Sequence, residues 1–520
     1  MLTDSPLSVV VESTPLLNSI GELSWKNVLI NTLKVTTPLV IANASAAMLD
    51  FLSNHLLSKQ CTNCLAASVI ISSSQVTIIV IASGLLLTVG NLSSEAASVK
   101  RDQEVGMIYR QSQLIAGITG TLLVPVFYQI KPILEFFGQN TNFTSIAQDY
   151  FQAYAGGIPA NLMVIASTQF ASGLRKQLFI LGVGVFNLPI FYFTANALAH
   201  HLEGNGVRGI GYAYAGINWL DWIIYQLYFY FNPSLKNFCL RSFSSLAEEW
   251  HCCKSLLKTS YPIALMLASE FGAFFAFNVF VGHLNKNDIE THNIVLQYVI
   301  LSVVPLVALS ESASILVGGA FGQDQFQTIR RYENAHLVMG LALSIISLLM
   351  FTIFPENLAS LFIDTSDNIN APILEAAKWA FFIYAINQFF EAIRHTSLGT
   401  LRGIHDTFIP MLINSLCLWG IAVPAAYGLT KYTNLRVPGI ALADSFGSFV
   451  SLFLLGRCLK KTTDIALHTL KTEQEQETSC LSPLKYFSLF SAKQDEKRNS
   501  SINRPDSALK KINVNRCGII

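Results

Sequence analysis

Apolar runs of about twenty residues recur along this chain, and they restrict its fold more than any other feature. An α-helix needs roughly 20 apolar residues to cross the hydrocarbon core of a bilayer. Twelve runs qualify. They lie near residues 27–52, 65–90, 110–131, 146–172, 177–199, 208–231, 256–281, 292–318, 333–354, 374–400, 407–429 and 438–459. The pattern predicts an all-α polytopic membrane protein with twelve transmembrane helices.

The scarcity of charge supports this prediction. Of the 520 residues, 52% are hydrophobic and 13% are charged, whereas a soluble chain carries about 25% charged residues. The net charge of +1 gives no argument for a nucleic-acid partner. We therefore expect the lipid bilayer to be the environment of most of the chain.

The distribution of Lys and Arg in the short loops favours cytoplasmic termini, because cytoplasmic loops carry an excess of these residues. With the N-terminus inside, the inner loops hold ten Lys and Arg residues and the outer loops hold six. Residues 1–25 lack a basic start followed by a continuous apolar core. No cleavable signal peptide is expected there.

The most polar connection between runs follows the sixth run and divides the chain into two sets of six. The predicted divisions are a cytoplasmic N-terminal segment 1–24, an N-lobe 25–232, a cytoplasmic linker 233–254, a C-lobe 255–460 and a disordered cytoplasmic tail 461–520.

The two lobes have short stretches of similar sequence at equivalent places. Residues 208–213 before the sixth run resemble 438–443 before the twelfth, and residues 173–175 resemble 400–402. Tandem halves that enclose a central cavity are a recurring plan of transporters.

The polar tail has few large apolar residues, which is typical of disorder. It ends Cys517-Gly518-Ile519-Ile520 after several basic residues, the outline of a prenylation signal. Cys517 is therefore a candidate lipidation site, although Gly518 is not aliphatic. No partner for the tail can be named.

Nine cysteines occur, of which Cys61 and Cys64 have the CxxC spacing. No second pair with the spacing of zinc ligands follows. We interpret the cysteines as small apolar residues and expect no metal site.

Glu270 lies near the middle of an apolar stretch from Leu257 to Val281. An ionised carboxylate there costs roughly 3 kcal/mol or more unless it faces a cavity or a partner. No Lys or Arg lies on the same helix face within two turns. Glu270 is therefore protonated, paired across helices, or part of an ion site.

Several motifs of the second half follow one another in a distinctive order. They are Tyr261-Pro262-Ile263-Ala264, Glu270, His292-Asn293-Ile294, Leu316-Val317-Gly318-Gly319 with Gly322, Glu391, and Leu401-Arg402-Gly403-Ile404-His405-Asp406-Thr407 with Pro410. This order resembles the multidrug and toxic compound extrusion (MATE) family of transporters. The resemblance covers residues 25–460.

The resemblance implies two bundles of six helices around a cavity that opens alternately to either side. It also implies a monomeric secondary antiporter, without enzymatic activity, that exports small organic and often cationic compounds. The coupling ion would be H⁺ or Na⁺, with no other cofactor. The expected location is a bacterial inner membrane or an equivalent membrane.

The resemblance also implies site residues. Glu270 and Glu391 match carboxylates of the seventh and tenth helices, Asp50 matches that of the first, and Asn187 matches an Asn of the fifth. Phe191 stands where the family often has a second Asn. A carboxyl group in a low dielectric favours its neutral form, so such groups could take up a proton, a Na⁺ ion or a cationic substrate.

Other readings of these residues remain open. Each carboxylate could serve as an interhelical hydrogen-bond acceptor only, and Arg394 could pair with Glu391 at (i, i+3). Glu311, inside the eighth run, could face the cavity or pair with a neighbour. Phe271 and Phe274 could bind a cation through their π faces or face lipid.

Two rival functions follow from the sequence. A lipid-linked oligosaccharide flippase would share the architecture, but it is expected to line its cavity with basic residues, and few lie within the runs. A non-transporting membrane scaffold could act through the tail. Motifs typical of intramembrane hydrolases (HExxH and GxSxG) do not occur in the runs.

Overall fold

The computed structural model describes residues 24–480 apart from 62, 203–205, 239, 241–244 and 364–366, and these described residues form helices and turns without a β-strand. In chain order the helices are α1 (Trp25–Ser58), α2 (Cys64–Ser83), α3 (Val89–Ser98), α4 (Asp102–Tyr128), α5 (Ile130–Phe136), α6 (Thr141–Tyr154), α7 (Ile158–Gly173), α8 (Gln177–His201), α9 (Gly206–Phe231), α10 (Leu246–Gly282), α11 (Lys286–Gly322), α12 (Phe326–Ile353), α13 (Pro355–Ala359), α14 (Ala371–Gly403), α15 (Phe408–Cys417), α16 (Val423–Tyr432) and α17 (Arg436–Cys480).

Each of the twelve apolar runs coincides with one helix or with an interrupted helix. Among the described residues seven helices are long and apolar enough to cross a membrane, if the contiguous α15 and α16 (Phe408–Tyr432) count as one, and the bent pair α4–α5 makes an eighth. Three runs are divided, between α2 and α3, between α6 and α7, and between α15 and α16. Membrane helices tolerate such breaks where neighbours satisfy the freed backbone groups.

Two apolar cores lie on either side of the polar connection that follows α9. The first includes Phe127, Phe151 and Phe191, and the second includes Phe351 and Phe381. All five rings are almost fully buried. The helices α1–α9 and α10–α17 therefore form two lobes, each packed around side chains of its own.

The same turn ends a helix twice in each lobe. Lys100, Arg175, Asp324 and His405 each have a φ near +60°. The N–H of the following residue donates to a carbonyl five residues back, at 2.9–3.0 Å. The turn at Lys100 in the N-lobe corresponds to that at Asp324 in the C-lobe, 224 residues later, and the turn at Arg175 corresponds to that at His405, 230 residues later. This repetition supports an internally duplicated chain.

The turns correct the sequence comparison at one place. Because Arg175 and His405 occupy equivalent positions, residues 173–175 correspond to 403–405. The proposed match to 400–402 was wrong by three residues, about one helical turn. A similarity over three residues is too short to determine which residues of the two lobes correspond. The residues with positive φ, Arg175 and His405, determine it.

Hydrogen bonds join the two lobes near the helix ends where these four turns lie, and we call this contact the inner seam. The pairs are Thr36–Ser312, Thr88–Ser260, Asn91–Arg402, Ser98–Gln323, Gln169–Glu311, Glu95–His405, Arg110–Glu249 and Gln111–Glu249. A Cβ atom on Gly318 would lie 2.9 Å from the carbonyl oxygen of Asn91. Helix α11 approaches α3 this closely because it has glycine there.

Several predicted boundaries were wrong. Helix α10 begins at Leu246, inside the predicted linker 233–254, because the Ser245 hydroxyl accepts from the N–H of Glu248 and caps the helix. Helix α17 continues to Cys480, although disorder was predicted from 461. The segment 461–480 contains Ala, Leu, Lys, Glu and Gln, which favour helix.

The structure divides after Leu455, and the described part of the second unit is the helical continuation to Cys480. Most of the N-terminal segment 1–24 and the candidate lipidation site Cys517 lie outside the described residues.

Cys61 and Cys64 form a disulfide between α1 and α2. The interpretation of all cysteines as small apolar residues was therefore wrong for this pair. The turn that opens α2 brings the two Cα atoms to 5.0 Å, within the range that a disulfide spans.

Candidate functional site

The guanidinium of Arg394 joins the two carboxylates predicted for the C-lobe. Its Nη1 donates to Glu270 at 2.6 Å, and its Nη2 donates to Glu391 at 2.6 Å. Glu270 lies on α10, whereas Glu391 and Arg394 lie one turn apart on α14. The structure therefore brings Glu270 and Glu391 into one cluster, and the open question about Glu270 is answered by a pair across helices.

Two further helices complete this C-lobe cluster. Asn414 on α15 donates to Glu270 at 2.8 Å and accepts from Arg394 at 3.0 Å. Ser448 on α17 donates to Glu391 at 2.7 Å. Glu270 and Glu391 thus each receive a hydrogen bond from another helix, so the cluster links the positions of α10, α14, α15 and α17.

The C-lobe cluster carries more negative than positive charge. Glu270 and Glu391 supply two negative charges, and Arg394 supplies one positive charge. His395, 3.4 Å from Glu391, adds a second positive charge only when it is protonated. Asp444, a buried carboxyl on α17, is close enough to interact electrostatically with Glu391. The cluster can therefore accept one or two further protons or cations, or lose a carboxylate partner to a cationic ligand.

The N-lobe residues fall into two separate pairs. Asp50 on α1 accepts a hydrogen bond from the Tyr214 hydroxyl at 2.6 Å. Asn187 on α8 donates to Asp221 on α9 at 2.7 Å. Between these pairs the fully buried ring of Phe191 packs edge-on against Tyr214. The predicted N-lobe residues Asp50 and Asn187 thus belong to two separate pairs.

A small cavity lies beside Asp50. It is lined by side chains of α1, α2, α6 and α9, among them Ser53, Asn54, Gln75 and Tyr150. Nearly all these groups can donate or accept hydrogen bonds, so the cavity is polar although it lies among membrane-spanning helices. Such a lining suits water, a proton or a small ion better than an apolar ligand.

Comparison with known proteins adds independent information. The sequence profile of the MatE family matches residues 38–197 and 262–428, more than half of the 520-residue chain. The chain belongs to the MATE family. The family resemblance of the ordered motifs is thereby confirmed, and this MATE protein is a member of a family of multidrug efflux transporters.

Curated relatives cover nearly the whole membrane part of the chain. A protein named probable multidrug resistance protein NorM from Synechococcus sp. is 24% identical over 448 residues, 83% of this chain and 93% of the relative. Its counterpart from Xylella fastidiosa is 24% identical over 429 residues, 82% of this chain and 90% of the relative.

Solved MATE structures share the fold. The eukaryotic MATE transporter AtDTX14 superposes with a TM-score of 0.75 at 18% identity, covering 85% of this chain and 98% of that one. A MATE transporter in an outward-facing conformation gives 0.76 at 16% identity, covering 84% and 96%. The prediction of a multi-pass membrane protein with twelve helices in two bundles is confirmed.

The remaining predicted residues lie outside these clusters. Glu311 of this MATE protein accepts a hydrogen bond from Gln169 at 2.9 Å, which places it in the inner seam. Phe271 is half-buried, and Phe274 is exposed on α10 with its edge toward Phe277.

Sequence reasoning missed residues whose role depends on a partner far along the chain. Arg394 was recognised only as a neighbour of Glu391, and Asn414, Ser448, Tyr214 and Asp221 were not singled out. One signal was available, because Tyr214 and Asp221 are seven residues apart and share a helix face. A polar stripe on an otherwise apolar run marks the side of a helix that faces protein.

The internal duplication extends to the polar contacts. In the N-lobe Asn161 donates to Asn218 at 3.2 Å, and in the C-lobe Ser448 donates to Glu391. The paired positions differ by 391 − 161 = 230 and 448 − 218 = 230 residues. The C-lobe has a carboxylate where the N-lobe has an amide, so the contact at these equivalent positions is ionisable in the C-lobe only.

Proposed function

We propose that this protein is a secondary-active antiporter that exports organic, cationic or amphiphilic compounds in exchange for H⁺ or Na⁺ by alternating access. The observation that carries the proposal is the position of Arg394 between Glu270 and Glu391. Because the guanidinium of Arg394 already binds both carboxylates, an incoming cation must compete with Arg394 for them.

Competition for these carboxylates supplies the coupling. A proton or Na⁺ that binds Glu270 weakens its pair with Arg394, and so does the ammonium group of a substrate. Since a ligand shifts a conformational equilibrium only through its differential affinity for two states, ligands that exclude each other at one site are exchanged rather than transported together. The N-lobe carboxylate Asp50 offers a second position for the coupling ion.

The inner seam supports alternating access. Its hydrogen bonds close one end of the contact between the lobes, and most of them are single bonds between side chains or from a side chain to a carbonyl. Such contacts contribute about 1 kcal/mol each, and none of these four is a covalent or bidentate link that would have to break before the lobes separate. Opening would expose Glu311 from the inner side.

We infer that the inner seam faces the cytoplasm, as do both termini, and that the protein works as a monomer in a bacterial inner membrane. The Cys61–Cys64 disulfide supports this orientation. It lies between α1 and α2, at the opposite ends of these helices from the inner seam. Disulfides persist in oxidising compartments outside the cytosol.

The C-lobe cluster disfavours the flippase alternative. A pyrophosphate group requires uncompensated positive charge, whereas Arg394 is held by two carboxylates. A cationic substrate fits the negative excess. Phe274, one turn from Glu270 on α10, is our proposed source of an added cation–π contact. The scaffold alternative depends on a tail of which residues 481–520 lie outside the described part of the chain.

Efflux of ethidium from proteoliposomes tests the proposal. A pH gradient and a Na⁺ gradient are imposed separately, with inactive protein as the blank. We expect efflux driven by one gradient, which also names the coupling ion. Efflux of equal rate with and without both gradients would contradict secondary-active exchange.

A further inference from the structure

Glu311 lies in the inner seam, and its hydrogen-bond donor belongs to the opposite lobe. The carboxylate is on α11 of the C-lobe, and its Oε1 accepts from the Nε2 of Gln169 on α7 at 2.9 Å. Asn43 on α1 and Ser172 on α7 face the same carboxylate. Of the other carboxylates that the structure describes within the twelve apolar runs, none accepts a hydrogen bond from the opposite lobe, since Asp50 and the C-lobe cluster are bonded within their own lobes. The contacts of Glu311 must therefore change when the lobes separate.

The groups around Glu311 can serve both protonation states of its carboxyl group. An ionised carboxylate only accepts hydrogen bonds, whereas the neutral form also donates one. The amide of Gln169 carries a donor and an acceptor, and the hydroxyl of Ser172 can act as either. That hydroxyl is fully buried, and it has no hydrogen-bond partner within the described part of the chain. A neutral Glu311 therefore finds an acceptor without displacing another bond.

The cationic side chain that faces Glu311 is Arg402 on α14, and its attraction favours the ionised carboxylate. On α3 the amide of Asn91 donates to the carbonyl of Arg402 at 2.7 Å and brings no charge. On α12 the imidazole of His336 is bonded at 3.1 Å to Ser312, the residue after Glu311. The compensating charge of Glu311 thus comes from its own lobe, and the opposite lobe offers neutral groups.

Opening of the inner seam replaces the N-lobe groups around Glu311 with cytoplasmic water. Arg402 stays beside Glu311, because both residues belong to the C-lobe, and its attraction acts in both states. Water stabilises an ionised carboxylate better than a buried site does, since burial disfavours the charged form of a carboxyl group. We therefore expect a proton on Glu311 to favour the closed seam and the loss of that proton to favour the open one.

We propose that Glu311 binds a proton while the inner seam is closed and releases it to the cytoplasm as the seam opens. The O–H bond of the neutral carboxyl group breaks, the proton passes to a cytoplasmic water, and the remaining carboxylate is solvated. The inference rests on the proposed antiport and deepens it, since it names a group through which H⁺ leaves on the inner side.

Distances between spin labels on Gln103→Cys and Gln327→Cys test the proposal in the purified full chain in nanodiscs. Both side chains are exposed, and each lies three residues after one of the repeated turns, at the inner ends of α4 and α12. The cysteines outside the disulfide are replaced by Ala. Every sample carries His405→Gln, because the pair of His405 with Glu95 responds to pH by itself. No substrate and no gradient are present, so the result is independent of whether ethidium is exported.

We expect the ratio of open to closed seam to rise about tenfold from acidic to alkaline pH. Glu311→Gln has a neutral amide at every pH, so its ratio should hardly change with pH. Gln169→Leu removes the donor of the ionised carboxylate, so its ratio should rise more steeply than that of the background. Glu356→Gln is the matched control, because Glu356 is exposed outside the seam and pairs with Lys378, and it should follow the background.

Size-exclusion profiles show which variants are folded, and Gln169→Leu decides the question if Glu311→Gln does not fold. A ratio that is independent of pH in the background would overturn the proposal, and so would an unchanged pH profile in Glu311→Gln. Equal shifts at every pH in Glu311→Gln and Gln169→Leu would also overturn it, since a purely structural contact predicts them. The expected profiles without ethidium efflux would support the role of Glu311 and contradict the export of this cation alone.

Discussion

Arg394 donates a hydrogen bond of 2.6 Å to Glu270, although the two residues lie on different helices and 124 positions apart. The same guanidinium binds Glu391. The pair fixes α14 against α10 and neutralises one of the two carboxylates, of which Glu391 is buried and Glu270 partly buried. It connects the stability of the C-lobe with the chemistry that we assign to it, because any ligand of Glu270 must compete with Arg394.

Replacing Arg394 with Gln should destabilise the protein strongly. The change leaves Glu270 and Glu391 buried without a cation, and removing one member of a buried ion pair costs about 3–5 kcal/mol. Thermal unfolding in detergent measures the effect.

Arg208→Gln is the matched control for that measurement, since Arg208 and Asp149 are 41% and 46% exposed. An exposed pair of this kind contributes at most about 1 kcal/mol. Equal melting temperatures for Arg394→Gln and Arg208→Gln would show that the ion pairs of Arg394 do not stabilise the fold.

The inner seam should weaken at alkaline pH through His405. Burial opposes protonation of the imidazole, but the carboxylate of Glu95, 2.5 Å away, outweighs burial and raises the pKa of His405. The charged pair is therefore complete below the ordinary His pKa of about 6.5 and is lost as pH rises through the raised value. Loss of the charge should cost about 1 kcal/mol, roughly a fivefold shift toward an open seam.

Labelling of a cysteine introduced at Ser94 measures this shift, since Ser94 is buried in the seam against Gly319. A membrane-impermeant thiol reagent is applied to inside-out vesicles at several pH values. His405→Gln in the same background corrects for the pH dependence of the thiol itself. Identical pH profiles with and without His405 would disprove the role of the pair.

Much of the fold could be predicted from the sequence, because every membrane-spanning helix needs an apolar stretch long enough to cross the bilayer. Each of the twelve runs falls on a helix or a divided helix. The breaks inside α2–α3 and α15–α16 could not be placed, since apolar composition continues through them. The start of α10 was missed because its first turns, at Glu248 and Glu249, are polar and resemble a loop.

The candidate site could be predicted only in part. Glu270 and Glu391 were found because a carboxylate in an apolar run is conspicuous, and the structure places them together. Their pairing through Arg394 depends on how α10 and α14 pack, which no local pattern encodes. Asp221 was overlooked, although it lies near the middle of the run 208–231 and is as conspicuous there as Glu270 is in its own run.

The disulfide provides a test of orientation. Cys61 and Cys64 are bonded to each other, so a thiol reagent should label them only after reduction. In intact cells, a membrane-impermeant reductant followed by an impermeant maleimide should label this pair from the outside. Cys61→Ser/Cys64→Ser should lose that signal. Labelling that requires inside-out vesicles would reverse the proposed topology.

The most direct test of the central claim is the gradient-driven efflux rate of Glu270→Gln. Glutamine keeps an oxygen that can accept from Arg394 and Asn414, so the variant should fold, but it cannot exchange a proton or hold a cation by charge. Glu356→Gln, at an exposed pair with Lys378, is the control. We predict at least a tenfold lower rate for Glu270→Gln and an unchanged rate for the control. Wild-type efflux in folded Glu270→Gln would contradict the account.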